Sequence, residues 1–311
     1  MRAVAFPDFD APPALTELPV PEPGTGEVLV RVRASSLNSF DLGMLRGVFK
    51  GVFEHEFPVV IGKDFAGEVA ATGDGVTGLA VGDDVFGVVT PMQRTGGLAE
   101  YVAVNHQYGI APIPEGLDHV QAGALGLAGT AALNAVDAVA PTSGETVLIS
   151  GATGGVGAYA TQLAAARGAT VIATAKPGAE TEFVTGLGAA HVVHVDQVVP
   201  QVRAIAPDGV PAALHFAGDG AAVARLLTQG GRFASTVRFT PDEPAERNIK
   251  TTIVMADPSP ETLSRLAAEV AAGRLRIPIA KAYSLQETPQ AIADFIGGII
   301  GGTIGKLSIT I

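Results

Sequence analysis

Along the first third of the chain, apolar and polar residues alternate in short runs. Residues 27–34 (EVLVRVRA) alternate over much of their length, the pattern of a strand with one buried face. Residues 68–73, 84–89 and 99–104 read as further short strands. Gly73-Asp74-Gly75 and Gly82-Asp83-Asp84 supply turn signals at their ends. Short strands spaced roughly 10–20 residues apart, with glycine turns between them, predict a compact β-rich domain or partly open barrel.

From residue 119 the period lengthens. Residues 119–138 are rich in Ala and Leu and predict a helix. Residues 146–150 (TVLIS) form an unbroken apolar run, as strands of buried parallel sheets do. Beyond them, helices are predicted at 156–167, 180–187 and 220–228. Strands are predicted at 170–174, 191–194, 212–216, 232–236 and 250–255. Strand alternating with helix at this spacing predicts a doubly wound parallel α/β sheet. Residues 261–272 form an amphipathic helix with Leu263, Leu266, Ala267 and Val270 on one face. Strand patterns then return at 277–283 and 306–311, around a short helix at 289–295. The expected division is 1–118, 119–273 and 274–311, the last segment rejoining the first domain.

Composition narrows the function classes. The 311 residues are 47% hydrophobic and 16% charged, which excludes a disordered chain. Net charge is −11, from 31 acidic and 20 basic residues, so neither nucleic acid nor an anionic membrane is an expected partner. Cysteine is absent, which removes disulfides, thiol nucleophiles and cysteine-liganded metals. The six histidines lack metal-ligand spacing, and no metal is expected. Residues 120–136 are uncharged, but 17 residues with three glycines fall short of the ~20 that a membrane span needs. The N-terminus lacks a signal-peptide pattern, and a cytoplasmic location is expected.

The strongest chemical signal is Ser150-Gly151-Ala152-Thr153-Gly154-Gly155-Val156-Gly157, between an apolar strand and a helix. Glycines let backbone approach a pyrophosphate, and N–H groups at a helix start face its negative charge. Gly151, Thr153, Gly154, Gly155, Val156 and Gly157 are therefore expected to bind a dinucleotide. NAD-selective sites place Asp or Glu about 20 residues further on. Here the next strand ends in Thr174-Ala175-Lys176, with no carboxylate before Glu180. A 2′-phosphate would be attracted by Lys176 and hydrogen-bonded by Thr174, so NADPH is the expected cofactor.

Several segments in order then carry a resemblance over almost the whole chain. They are 37–41 (LNSFD), 57–69 (FPVVIGKDFAGEV), 81–87 (VGDDVFG), 96–101 (GGLAEY), the glycine loop and Gly305-Lys306-Leu307. The chain resembles the medium-chain dehydrogenase/reductase superfamily, in its zinc-independent quinone oxidoreductase branch. The resemblance implies a GroES-like β domain built from both chain ends, a central Rossmann domain, NADPH in the cleft between them, and frequently a homodimer. Zinc members carry Cys near the position of Asn38 and His at that of Lys63, and both are absent here.

With neither metal nor thiol, the bound cofactor must carry the reaction. Hydride transfer then needs an electrophile such as a quinone or an α,β-unsaturated carbonyl. An enoyl-thioester substrate, or a non-catalytic NADPH-binding sensor, remains open. Asn38 offers amide donors and an acceptor, and in similar proteins its counterpart faces the nicotinamide ribose and the substrate cleft. Thr130 matches a family threonine that meets the nicotinamide. Asn38 and Thr130 are the expected catalytic residues, and the expected cofactor-binding set also includes Phe216, Ala217, Thr236 and Lys306. Many quinone reductases carry tyrosine at the position of Gly43, so that proton donor is excluded. Another family tyrosine, on the adenosine side, corresponds roughly to Val195. Phe49, Phe53 and Phe57 are candidates for an apolar substrate pocket or for core. Asp64 and Glu100 read as carboxylates that fix loops.

Overall fold

A computed structural model of the chain describes residues 1–9, 11–52, 55–90, 95–242, 245–301 and 304–311. The first part contains β1 (Arg2–Phe6), β2 (Ala14–Glu17), β3 (Glu27–Ser36), α1 (Ser39–Leu45), β4 (Val59–Val60), β5 (Asp64–Thr72), β6 (Asp84–Val88), β7 (Tyr101–Asn105) and β8 (Ile110–Pro112). Helix α2 (His119–Val139) leads into β9 (Thr146–Ser150), α3 (Gly155–Ala166), β10 (Thr170–Ala175), α4 (Ala179–Gly186) and β11 (His191–His194). The alternation continues through α5 (Val198–Ile205), β12 (Val210–His215), α6 (Gly220–Ala224), β13 (Leu227–Ser235) and β14 (Lys250–Ile253). The chain closes with α7 (Pro260–Ala271), β15 (Ile279–Ser284), α8 (Thr288–Gly301) and β16 (Lys306–Thr310).

Strands β9 to β14 form a six-stranded sheet in the order β11-β10-β9-β12-β13-β14, with every pairing parallel. That is the doubly wound dinucleotide-binding order, and its strand order reverses between β9 and β12. Val147, Leu148 and Ile149 have no exposed surface, which explains the unbroken apolar run. The β-rich part has a seven-stranded sheet in the order β15-β16-β3-β5-β6-β8, with β7 also paired to β3. Strand β16 runs antiparallel to β3, so the C-terminal segment completes the N-terminal sheet.

Helix α2 joins the two halves. It packs on β3, β5 and β6 on one side and on α3, β12 and β13 on the other. It is long and apolar enough to cross a membrane, yet 78% of its most apolar window is buried within the fold. Gly126 permits the close approach: a Cβ there would stand 2.6 Å from the Gly87 carbonyl oxygen and 2.8 Å from Asp64 Oδ1. Tyr159 of α3 ties the other side, its hydroxyl donating to the Ala124 carbonyl at 3.0 Å.

Some elements differ from the sequence expectation. Helix α6 ends at Ala224, short of 228, because Leu227 pairs with Val210 and already belongs to the sheet. Helices α1 and α5 were not expected. Helix α5 holds Pro200, but in its first turn, where the missing N–H costs nothing. Helix α8 runs well beyond 289–295.

Candidate active-site cleft

A cleft of about 1280 Å³ separates the two halves. Small-ligand pockets are typically ~300–1,000 Å³, so there is room for a dinucleotide and a second small molecule. Both flanks are linked across it. The Gly305 N–H donates to the Thr153 carbonyl at 2.8 Å, and the Gly109 N–H to the Pro258 carbonyl at 3.0 Å. The Tyr108 hydroxyl donates to Asp257 at 3.0 Å.

The glycine loop lies at the point where the strand order reverses, between β9 and the start of α3. Gly151 turns the chain at φ +78°, a conformation that side chains rarely adopt. A Cβ at Gly157 would stand 2.1 Å from the Gly151 carbonyl oxygen, so only glycine lets α3 close on the turn. Helix α3 is capped by Gly154, which brings no side-chain acceptor. Its first N–H groups therefore face the cleft with their partial positive charge, which suits a pyrophosphate. Gly151, Thr153, Gly154, Gly155, Val156 and Gly157 all line the cleft, as do Thr174, Lys176, Phe216, Ala217 and Thr236. These residues fit a nicotinamide dinucleotide.

At the far end of β10, Thr174 is buried and its Oγ1 accepts from the Gly151 N–H at 3.0 Å. The hydroxyl thus braces the loop while keeping its own proton to donate. Glu180 of α4 folds back to accept from the Lys176 N–H at 2.8 Å. A carboxylate therefore shares the cleft wall with the Lys176 ammonium, a neighbour that spacing along the strand did not reveal. Val195, which follows β11 beside β10, also lines the cleft.

The other end rests on a buried polar network. Asn38, the residue before α1, is 7% exposed. Its Oδ1 accepts from Lys306 Nζ at 2.7 Å. Its Nδ2 donates to Asp64 Oδ2 at 2.9 Å and to the Ser36 carbonyl at 3.4 Å. An ammonium can only donate and a carboxylate only accept, so these two partners fix which way the amide points. Ser36 Oγ also donates to Asp64 Oδ2, and the Leu127 N–H of α2 donates to Asp64 Oδ1 at 2.6 Å. Asp64 thus joins β3, α1 and α2, a fuller role than fixing a loop. Asp41 accepts from the Asn38 N–H at 2.8 Å, and burial raises its carboxyl to about 7. Burial likewise pushes the Lys306 ammonium down.

Two expected site residues lie off the cleft wall. Lys306 is 3% exposed and sits behind the glycine loop, where a Cβ on Gly155 would meet its Cδ at 2.7 Å. It also donates to the Leu37 carbonyl at 3.1 Å. Through Asn38 Oδ1 it orients the amide on the cleft wall. Thr130 is fully buried, its hydroxyl without a hydrogen-bond partner among the described residues. Leu127, Ala128 and Ala131 line the cleft instead. At ~3.6 residues per turn these three span about 100° of α2, and Thr130 lies about 60° beyond Leu127 at its edge.

Phe40, Phe49, Val88, Val89, Met255 and Phe295 give the remaining wall an apolar character. Phe49 stacks on Phe40 with ring centres 4.4 Å apart and fills the space beside Gly43, where a Cβ would stand 3.0 Å from it. Phe57 instead packs with Phe6 and Phe9, away from the cleft. Phe53 lies outside the described residues. Glu100 pairs with Arg2 at 2.8 Å, a surface link. Among the described residues no three of His, Asp and Glu converge as a metal site would require. Lys63, where zinc members carry a histidine, also lines this end.

Comparison with known proteins agrees with this architecture. The family described as "Alcohol dehydrogenase GroES-like domain" matches residues 24–115, and that described as "Zinc-binding dehydrogenase" matches 187–307. The chain is 30% identical to the chloroplastic quinone-oxidoreductase QR1 of Triphysaria versicolor, over 98% of this chain and 97% of that protein. It is 37% identical to the mitochondrial NAD(P)H oxidoreductase RTN4IP1 of Drosophila melanogaster, but that match spans 63% of this chain and only about half (52%) of the relative. It is 30% identical to the 2-methylene-furan-3-one reductase of Solanum lycopersicum, over 74% of this chain and 61% of that one. Among solved structures, the quinone oxidoreductase from Coxiella burnetii superposes with a TM-score of 0.87 at 29% identity, covering 100% of this chain and 99% of that one.

Proposed function

The chain belongs to the medium-chain dehydrogenase/reductase superfamily, in its quinone oxidoreductase-like branch, and on that premise we propose that it is a zinc-independent, NADPH-dependent reductase of quinones or α,β-unsaturated carbonyl compounds. One observation carries the reading. The glycine loop and an apolar, aromatic pocket open into the same cleft, with Asn38 and Lys63 where a catalytic metal would need its ligands.

When bound, the reduced nicotinamide supplies a hydride to the substrate. The chain's own residues do the rest. The first turn of α3 and the glycine loop hold the pyrophosphate. Lys176 and the Thr174 hydroxyl meet the 2′-phosphate. Asn38, locked by Lys306 and Asp64, has one unused lone pair on Oδ1, which suits a ribose hydroxyl. Its N–H groups are already directed at Asp64 and Ser36, so it serves as an acceptor and not as an oxyanion donor. Phe40, Phe49 and Val88 make the substrate end apolar and favour a flat conjugated ligand.

The test is NADPH oxidation with a quinone, an enone and an enoyl-thioester, before and after prolonged chelator treatment. Turnover with a quinone or enone that survives chelation supports the reading. Tight cofactor binding with no turnover on any substrate favours a sensor, and exclusive use of the thioester moves the substrate class.

A further inference from the structure

At the substrate end one buried cation remains without a role in holding the cofactor. Lys63 immediately precedes β5, is 8% exposed and lines the cleft. Its Nζ donates to the Val89 carbonyl at 3.0 Å and stands 5.1 Å from the centre of the Phe40 ring. An ammonium has three N–H donors. Among the described residues, Val89 engages one by hydrogen bond and the Phe40 face attracts the charge from one side.

The other polar groups of this wall are poor acids or are turned elsewhere. Asn38 donates to Asp64 and Ser36. The Tyr108 hydroxyl donates to Asp257. Arg46 is exposed, and a guanidinium does not release its proton near neutral pH. Thr130 is off the wall, and at position 43 stands a glycine.

We propose that Lys63 is the acid of this site: its ammonium hydrogen-bonds the substrate's carbonyl oxygen and gives it a proton as that oxygen gains negative charge. The inference rests on the reductase reading above. In an enone, reduction at the β-carbon pushes the π pair onto the carbonyl oxygen. An O–H bond forms there as an Nζ–H bond breaks, leaving an enol, which becomes the ketone in water, and a neutral lysine, which regains its proton from water. In a quinone, hydride arriving at the opposite oxygen and this one proton together complete the hydroquinone. Reduced nicotinamide is the only reductant required.

The surroundings suit that task. Burial lowers the Lys63 ammonium to about 8, with Asp41 of α1 holding it up. Behind Asp41 stand Asp64 of β5 and Lys306 of β16. The group is thus charged near neutrality and a stronger acid than an exposed lysine.

The experiment uses 2,4-dinitrophenolate, a conjugated oxyanion, titrated by its absorbance change into the full chain with and without oxidised cofactor. Lys63→Met should weaken binding at least tenfold, whereas Arg46→Met should change it less than about twofold. Undiminished binding to Lys63→Met overturns the proposal. Should that variant fail to fold, the wild type decides: affinity should fall roughly tenfold between about pH 7 and 9, as an ammonium near 8 loses its charge, and a flat profile overturns it. Turnover gives a separate readout. Lys63→Met should lower kcat ~100-fold or more with a smaller change in KM. Wild type inactive with both quinone and enone overturns the reductase reading and the acid role together. An active wild type matched by Lys63→Met overturns the acid role alone.

Discussion

Lys306 Nζ lies 2.7 Å from Asn38 Oδ1, a hydrogen bond between residues 268 positions apart in sequence. It fastens the last strand to the residue that opens α1, directly behind the glycine loop. The closing strand therefore sets the orientation of a side chain on the cleft wall.

That bond, with the ion pair to Asp64, makes Lys306 a member of the network whose loss should cost stability. Its ammonium stands 3.5 Å from Asp64 Oδ2, and both side chains are shut off from water. Removing one partner of a buried pair leaves the other uncompensated, at about 3–5 kcal/mol. Lys306→Met should lose about that much in urea unfolding, with a slope like that of the wild type. A loss under about 1 kcal/mol would show that the pair contributes little.

Asn38→Ala tests the acceptor role. Losing a neutral hydrogen bond to a ribose hydroxyl costs about 1 kcal/mol, or roughly fivefold in affinity. Loss of an oxyanion donor would instead cost ~10²–10³ in kcat. Cofactor titration should show the several-fold weakening, while kcat falls by less than about tenfold. A hundredfold drop in kcat at unchanged cofactor affinity would return Asn38 to the donor role.

Asp41 should make stability depend on pH. Its carboxyl is raised from an ordinary 3.8 to about 7, chiefly by burial. Between about pH 4 and 7 the folded chain holds a proton that the unfolded chain has released. Stability from this group is complete below that window and declines as pH rises through it. Asp41→Asn keeps an oxygen for the Asn38 N–H but cannot ionise. Its stability should fall less than that of the wild type from pH 4 to 7, and parallel curves would show that Asp41 is not responsible.

The sequence made the parallel sheet legible because buried strands are unbroken apolar runs, and 146–150 and 212–216 stand out beside glycine-rich turns. The glycine loop was legible for the same reason, since its chemistry is local. The network around Asn38 was not. Its members come from β3, α1, β5, α2 and β16, and their distances follow from tertiary packing. Thr130 and Ala131 differ by one helical step, and an alanine-rich helix that is buried on almost every side gives no periodicity to say which one faces the cleft. Helix α1, which was not expected, opens on Asn38-x-x-Asp41, where the Asp41 carboxylate accepts from the Asn38 N–H. Glu180 reads in the sequence only as the first carboxylate beyond the strand, and its contact with the Lys176 N–H was not legible, because strand spacing says nothing of a helix side chain folding back.

Cofactor choice turns on Lys176 and Glu180 together. A charge-assisted hydrogen bond from Lys176 to a 2′-phosphate contributes roughly 1.5–3 kcal/mol. Glu180 is fixed on the Lys176 N–H at 2.8 Å and places a carboxylate on the same wall. Its charge opposes a phosphate and tempers the preference. Wild type should still bind NADPH at least about tenfold more tightly than NADH, and Lys176→Ala should remove most of that difference by weakening NADPH alone. Glu180→Gln retains an acceptor for the Lys176 N–H while deleting the negative charge, so it should widen the preference severalfold. Both effects should shrink as salt rises, because this end of the cleft is open to solvent. Fluorescence titration of the two cofactors against the three proteins checks the pattern. Equal affinities in the wild type would refute the NADPH assignment, and a Glu180→Gln protein with unchanged preference would show that its carboxylate lies too far from the phosphate to matter.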